Sequence, residues 1–187
     1  YLAARKLASS VLGGADVRES ALGLNDIWRR LDRRARGHTT SPALHLLEQA
    51  GTAPHDVAVD FVSPQAARRA LAMTTGVTAS TIGGSAQGAC REVFGACPAQ
   101  GLPGLAGKTG TADFLADERG SPWVKPGGQI PSKVFGGVFT AANGKRYAIT
   151  AMALRVREGD SKTLELHSSA PAEAALVVMR SMGVTAP

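Results

Sequence analysis

An α+β fold, an antiparallel sheet flanked by helices, follows from three features of this 187-residue chain. Helix-capping punctuation dominates its first part, and β-compatible runs joined by Asn143-Gly144 gather in its second half. A capped apolar segment then closes it. Helices, then strands, then one more helix argue for an antiparallel sheet rather than a repeating parallel unit. With 44% hydrophobic residues, a chain of this length can bury a substantial core.

In chain order, Asn25 can cap a first helix carrying Ile27, Trp28 and Leu31 at helical spacing. Ser41-Pro42 opens a second, with Leu44, Leu46 and Leu47 as its apolar face and Gly51 as its stop. Serine followed by proline at the first helical position, then a terminal glycine, is a strong local pattern. Alternation of Val57, Val59 and Phe61 predicts a short strand. Ser63-Pro64 then starts a helix with Ala67, Leu71 and Met73, ended by Gly76.

Leu105 to Phe114, rich in glycine and threonine, reads as an extended edge strand, and Leu115 to Lys133 as a long loop containing Trp123. Val134–Thr140 and Arg146–Val156 form a hairpin around Asn143-Gly144, residues that tolerate positive φ. Ser169-Ala170-Pro171 starts the closing helix, with Leu176 and Met179 inside it and Gly183 as its end.

The net charge of +6 raises an anionic partner, since Arg29, Arg30, Arg33, Arg34 and Arg36 lie close together. They lack aromatic interleaving or any nucleic-acid motif, so a solvated helix face is expected and no nucleic acid. His38, His45, His55 and His167 show no ligand spacing, and no metal is expected. Cys90 and Cys97 allow either a short disulfide loop, if the protein is exported, or two free thiols. No run approaches the roughly 20 apolar residues that span a bilayer. The first residue is Tyr1 rather than Met, from which a fragment of a longer chain is expected.

The residues with chemistry in them are Gly107-Lys108-Thr109-Gly110-Thr111-Ala112. A lysine on a strand, with hydroxyls and a glycine beside it, suits an extended peptide ending in a carboxylate. Set before a long loop, a hairpin and a closing helix, this K-T-G-T-A run resembles the penicillin-binding protein and serine β-lactamase superfamily. That family carries S-x-x-K, S-D-N and K-T-G motifs. The resemblance runs from about Asp56 to the end and takes in the Gly/Ser stretch Ile82–Gly88. It divides the incomplete domain 1–187 into a helical segment, 1–55, and a part holding substrate strand, hairpin and closing helix, 56–187.

The resemblance implies a serine-type D,D-transpeptidase that cross-links peptidoglycan outside the cytoplasm, in the periplasm or at the cell surface. Its partners would be D-Ala-D-Ala stem peptides and β-lactam antibiotics, and it would need no cofactor. Lys108 would polarise a hydroxyl of the middle motif. Thr109 and Thr111 would hold the terminal carboxylate, Gly110 would keep the edge open, and the Thr111 N–H would form half of an oxyanion hole. Export would favour the Cys90–Cys97 disulfide.

No serine here is followed three positions on by lysine, and no Ser-x-Asn or Tyr-x-Asn occurs. A serine without a nearby base is a weak nucleophile. The nucleophile is therefore expected in the upstream half of the same protein, as is any membrane anchor. The alternatives are a degenerate module that keeps the groove but only binds, and a serine β-lactamase or β-lactam sensor.

Overall fold

The computed structural model describes residues 20–43, 55–115, 129–153 and 169–186. Its elements are helix α1 (Ala21–Ala35), strands β1 (Thr40–Pro42) and β2 (Asp56–Ala58), helix α2 (Pro64–Ala72), a 3-10 turn (Thr75–Thr78) and helix α3 (Gln87–Phe94). Strands β3 (Ala106–Leu115), β4 (Gln129–Thr140) and β5 (Arg146–Ala153) and helix α4 (Ala170–Ser181) follow. The fold is α+β. β3, β4 and β5 form one antiparallel sheet in that order, and β1 and β2 form a small antiparallel pair.

Strand residues alternate between sheet faces, and paired residues share a face. Phe135, Phe139, Tyr147 and Ile149 therefore point to one side, where α3 and α4 bring Cys90, Val93, Leu176 and Met179 into a single apolar cluster. Phe135, Phe139, Leu176 and Met179 are almost wholly buried. The opposite face carries Gly136 between Lys108 and Thr150, and α1 lies across it. A Cβ on Gly136 would stand 2.4 Å from Trp28 Nε1, so the indole occupies the space a side chain would need. Buried Asp32 completes the contact, taking Arg146 of β5 at 2.7 Å and Arg36 at 2.8 Å.

Several expected boundaries move. The cap of α1 is Ser20, whose Oγ accepts the Gly23 N–H at 3.0 Å, and Asn25 lies inside the helix. Ser41-Pro42 does not open a helix. It ends β1, because the Thr40–Pro42 backbone finds a ladder with Asp56–Ala58, and the segment carrying Leu44 to Gly51 lies outside the described residues. Ser63-Pro64 does start α2, with the Ser63 hydroxyl accepting from Ala66 N–H at 3.1 Å. That helix ends before Gly76, which sits in the 3-10 turn, and Met73 is exposed rather than on its apolar face.

The loop expected from Leu115 to Lys133 is shorter at both ends. Leu115 belongs to β3, and Gln129 to Lys133 pair with Thr111 to Leu115; Trp123 lies outside the described residues. Helix α3, within and beyond the Gly/Ser stretch, has no counterpart among the expected elements. Ser169 does not cap α4 through a backbone N–H, its hydroxyl bonding Glu173 instead. Gly183, at φ +81°, does end that helix.

The arginine run is not a solvated face. Arg30 donates to Ala58 O at 2.7 Å, Arg33 to Thr40 O at 2.8 Å and Arg34 to Val62 O at 2.6 Å. Arg29 pairs with Asp26. The charge that suggested an anionic partner thus ties α1 to β1, β2 and the turn before α2.

Cys90 and Cys97 form a disulfide between α3 and the segment after it. Closing so short a loop restricts the unfolded chain, and reduction with a dithiol should lower the unfolding free energy by roughly 2 to 3 kcal/mol; urea denaturation with and without reductant checks this. Gly136→Ala should cost about 1–3 kcal/mol, the usual penalty for an overpacked contact. Combining it with Trp28→Ala should recover part of that loss, and a strictly additive double-mutant cycle would contradict the contact.

Candidate functional site

Lys108, Thr109, Gly110 and Thr111 all lie on β3, at the border of the sheet. One side of β3 pairs with β4; among the described residues no strand lies along the other. The Gly107 N–H points to that other side, bonding Thr74 O of the segment before the 3-10 turn at 3.1 Å. Backbone groups alternate along an antiparallel strand, so the N–H and C=O of Thr109 and Thr111 face the same open side. Thr109 and Thr111 are the first outward-facing residues of this edge past Gly107.

Side chains approach this edge from both sheet faces. Lys108 starts on the α1 face and is exposed; its ammonium reaches over the border to donate to Thr109 O at 2.6 Å. Thr109 and Thr111 start on the opposite face. The Thr109 hydroxyl donates to Ser85 Oγ at 2.6 Å, and the Lys133 ammonium donates to Thr111 Oγ1 at 3.3 Å. Lys133 is the cross-strand partner of Thr111. The border therefore holds two cations and three hydroxyls around outward-facing N–H groups, an arrangement suited to an anionic peptide end.

Two of these residues escaped sequence reasoning. Lys133 falls in the expected loop, although the apolar run starting at Val134 needs extending back by only one residue to include it. Ser85 carries no motif and comes near Thr109 only through the fold of the 75–86 segment. Gly110 has a second reason to be glycine: a Cβ there would stand 2.8 Å from Val134 Cγ1 on the neighbouring strand.

A cleft of about 390 Å³ opens elsewhere, between Leu71, Thr75, Pro103 and Arg146. Its charged group, Arg146, is already bound to Asp32 and to Thr140 Oγ1 at 3.0 Å, and the β3 border offers more polar groups.

Because Lys108 is exposed and bonds only its neighbour's carbonyl, it contributes little to the fold. Lys108→Ala should shift the unfolding free energy by less than about 0.5 kcal/mol, as surface substitutions do. A larger loss in thermal or urea unfolding would assign the lysine a structural role instead.

No protein-family model, no curated protein and no solved structure matches this chain.

Proposed function

We propose that this chain supplies the substrate-carboxylate site and half of the oxyanion hole of a serine-type D,D-transpeptidase that cross-links peptidoglycan. The observation that carries the reading is the K-T-G-T-A run on a strand border along which, among the described residues, no other strand lies. There the Thr109 and Thr111 backbone groups face outward, and Lys108, Lys133 and the threonine hydroxyls surround them. A stem peptide ending in D-Ala-D-Ala would add to β3 as an extended strand. Its carboxylate would meet the hydroxyls and ammonium groups, and the scissile carbonyl oxygen would meet the Thr111 N–H.

The acylated serine and its activating lysine belong, in this reading, to a part of the protein outside this chain. That serine attacks the carbonyl carbon of the penultimate D-alanine, and the terminal D-alanine leaves with the proton on its amine. An amine of a neighbouring stem peptide then displaces the serine. Lys108 favours the first step by stabilising negative charge on oxygen near the attacking hydroxyl. Export to the periplasm or cell surface would accompany such a function, and the Cys90–Cys97 disulfide agrees with an oxidising compartment.

The test is intact mass after incubation with a fluorescent penicillin, for this chain and for a longer protein that contains it. The longer protein should gain one stable adduct and this chain none. Thr111→Pro removes the one N–H assigned to the oxyanion hole, at a border position where proline costs no ladder hydrogen bond. It should slow adduct formation by about 10²–10³-fold, with far-UV circular dichroism unchanged. Rapid release of the adduct would favour a β-lactamase. No adduct on either protein would leave a groove that binds peptide ends without covalent chemistry.

A further inference from the structure

We propose that Ser85 is a binding residue of the anion site, its oxygen accepting from the Thr109 hydroxyl and its own O–H donating to the carboxylate; this rests on the function proposed above. The segment carrying it is held from both sides. Gly84 N–H bonds Ala79 O at 2.9 Å, and Ala86 N–H bonds Val77 O at 2.8 Å. Gly84 packs so closely on the 3-10 turn that a Cβ there would stand 2.3 Å from Gly76 O. Both neighbours of Ser85 are thus fixed by backbone contacts, and only its side chain is left to face outward.

A second brace comes from the disulfide. Ser80 and Thr81 donate their N–H groups to Pro98 O and Ala99 O at 3.2 and 3.3 Å, and the Thr81 hydroxyl also bonds Ala99 O at 2.7 Å. Pro98 follows Cys97 directly, and Cys97 is bonded to Cys90 of α3. Cys90 N–H in turn bonds Ala86 O at 2.9 Å, one residue past Ser85. The backbone that presents Ser85 is therefore closed on itself through Cys90, Cys97, Pro98 and Ser80.

This bracing holds a side chain that does little for stability. Ser85 is exposed, and a hydroxyl pair at the surface exchanges bonds with water at small net gain. Its chemistry is more informative. Thr109, a β-branched residue with restricted χ1, donates to Ser85 Oγ, which leaves the Ser85 proton for an acceptor outside the protein. Thr109 and Thr111 point from the same face about 6.5–7 Å apart along the strand. Ser85 at one end and Lys133 at the other close the ends of that span. A carboxylate seated there accepts a hydrogen bond from the Ser85 hydroxyl, and successive hydroxyls polarise one another.

The experiment is an NMR titration of the full chain with an N-acyl D-alanyl-D-alanine peptide and with its C-terminal amide, following the Thr109 and Gly110 amide resonances. The wild-type chain should bind the acid more tightly than the amide. Ser85→Ala should weaken acid binding about tenfold, the value of one hydrogen bond to a charged group. It should leave amide binding and the thermal midpoint unchanged, and Ser85→Thr should restore most of the loss.

If the wild-type chain prefers the acid and Ser85→Ala leaves that preference intact, or weakens both ligands equally, the role of Ser85 is overturned while the carboxylate site stands. If the wild-type chain treats acid and amide alike, or binds neither, the carboxylate reading fails and the inference falls with it.

Discussion

A helix can lie on a sheet only as closely as the side chains between them allow, and at Gly136 there is none. Trp28 occupies that gap, bringing α1 down on β4, the strand between β3 and β5. Much else depends on that approach. It places Asp32 where Arg146 of β5 can reach it, so an apolar contact and a buried ion pair hold the same helix. Arg36, at the C-cap of α1, bonds the same buried carboxylate, so Asp32 is held by two guanidinium groups. From the docked helix Arg30, Arg33 and Arg34 extend to carbonyls of the small β1–β2 sheet and of the turn before α2.

With α1 on one face and the Phe135–Leu176–Met179 cluster on the other, the sheet is covered on both sides. Among the described residues no strand lies along its border at β3. An unpaired strand border is an invitation to pair with another chain, and proteins usually blunt it. Here the Gly107 N–H is capped by Thr74 O, and the next residues are lined with Lys108, Thr109, Thr111, Lys133 and Ser85. Charged and hydroxyl groups discourage indiscriminate strand pairing.

The loop with Ser85 shows how a small disulfide can act at a distance from its sulfur atoms. The bond joins α3 to Cys97, the next two residues hold Ser80 and Thr81, and the turn they anchor carries the hydroxyl that meets Thr109. Each link is short and made largely of backbone hydrogen bonds. The position of one exposed side chain is thereby fixed by residues 5 to 14 positions away in sequence.

The sequence by itself determined whatever depends on nearest neighbours and on period. The Ser63-Pro64 helix start, the Gly183 stop, the hairpin around Gly144 and the α+β order all rest on local backbone preference, and the structure has them. Lys108, Thr109, Gly110 and Thr111 were legible as a group because a strand keeps sequence neighbours together. Only the tertiary structure decided the rest. Ser41-Pro42 has the local chemistry of a helix start, yet pairing with Asp56–Ala58 made it a strand. The arginine run looks solvated until distant carbonyls come within reach. Ser85 and Lys133 join the site from 24 and 22 residues away. No local preference encodes such a meeting, because it depends on how whole elements pack.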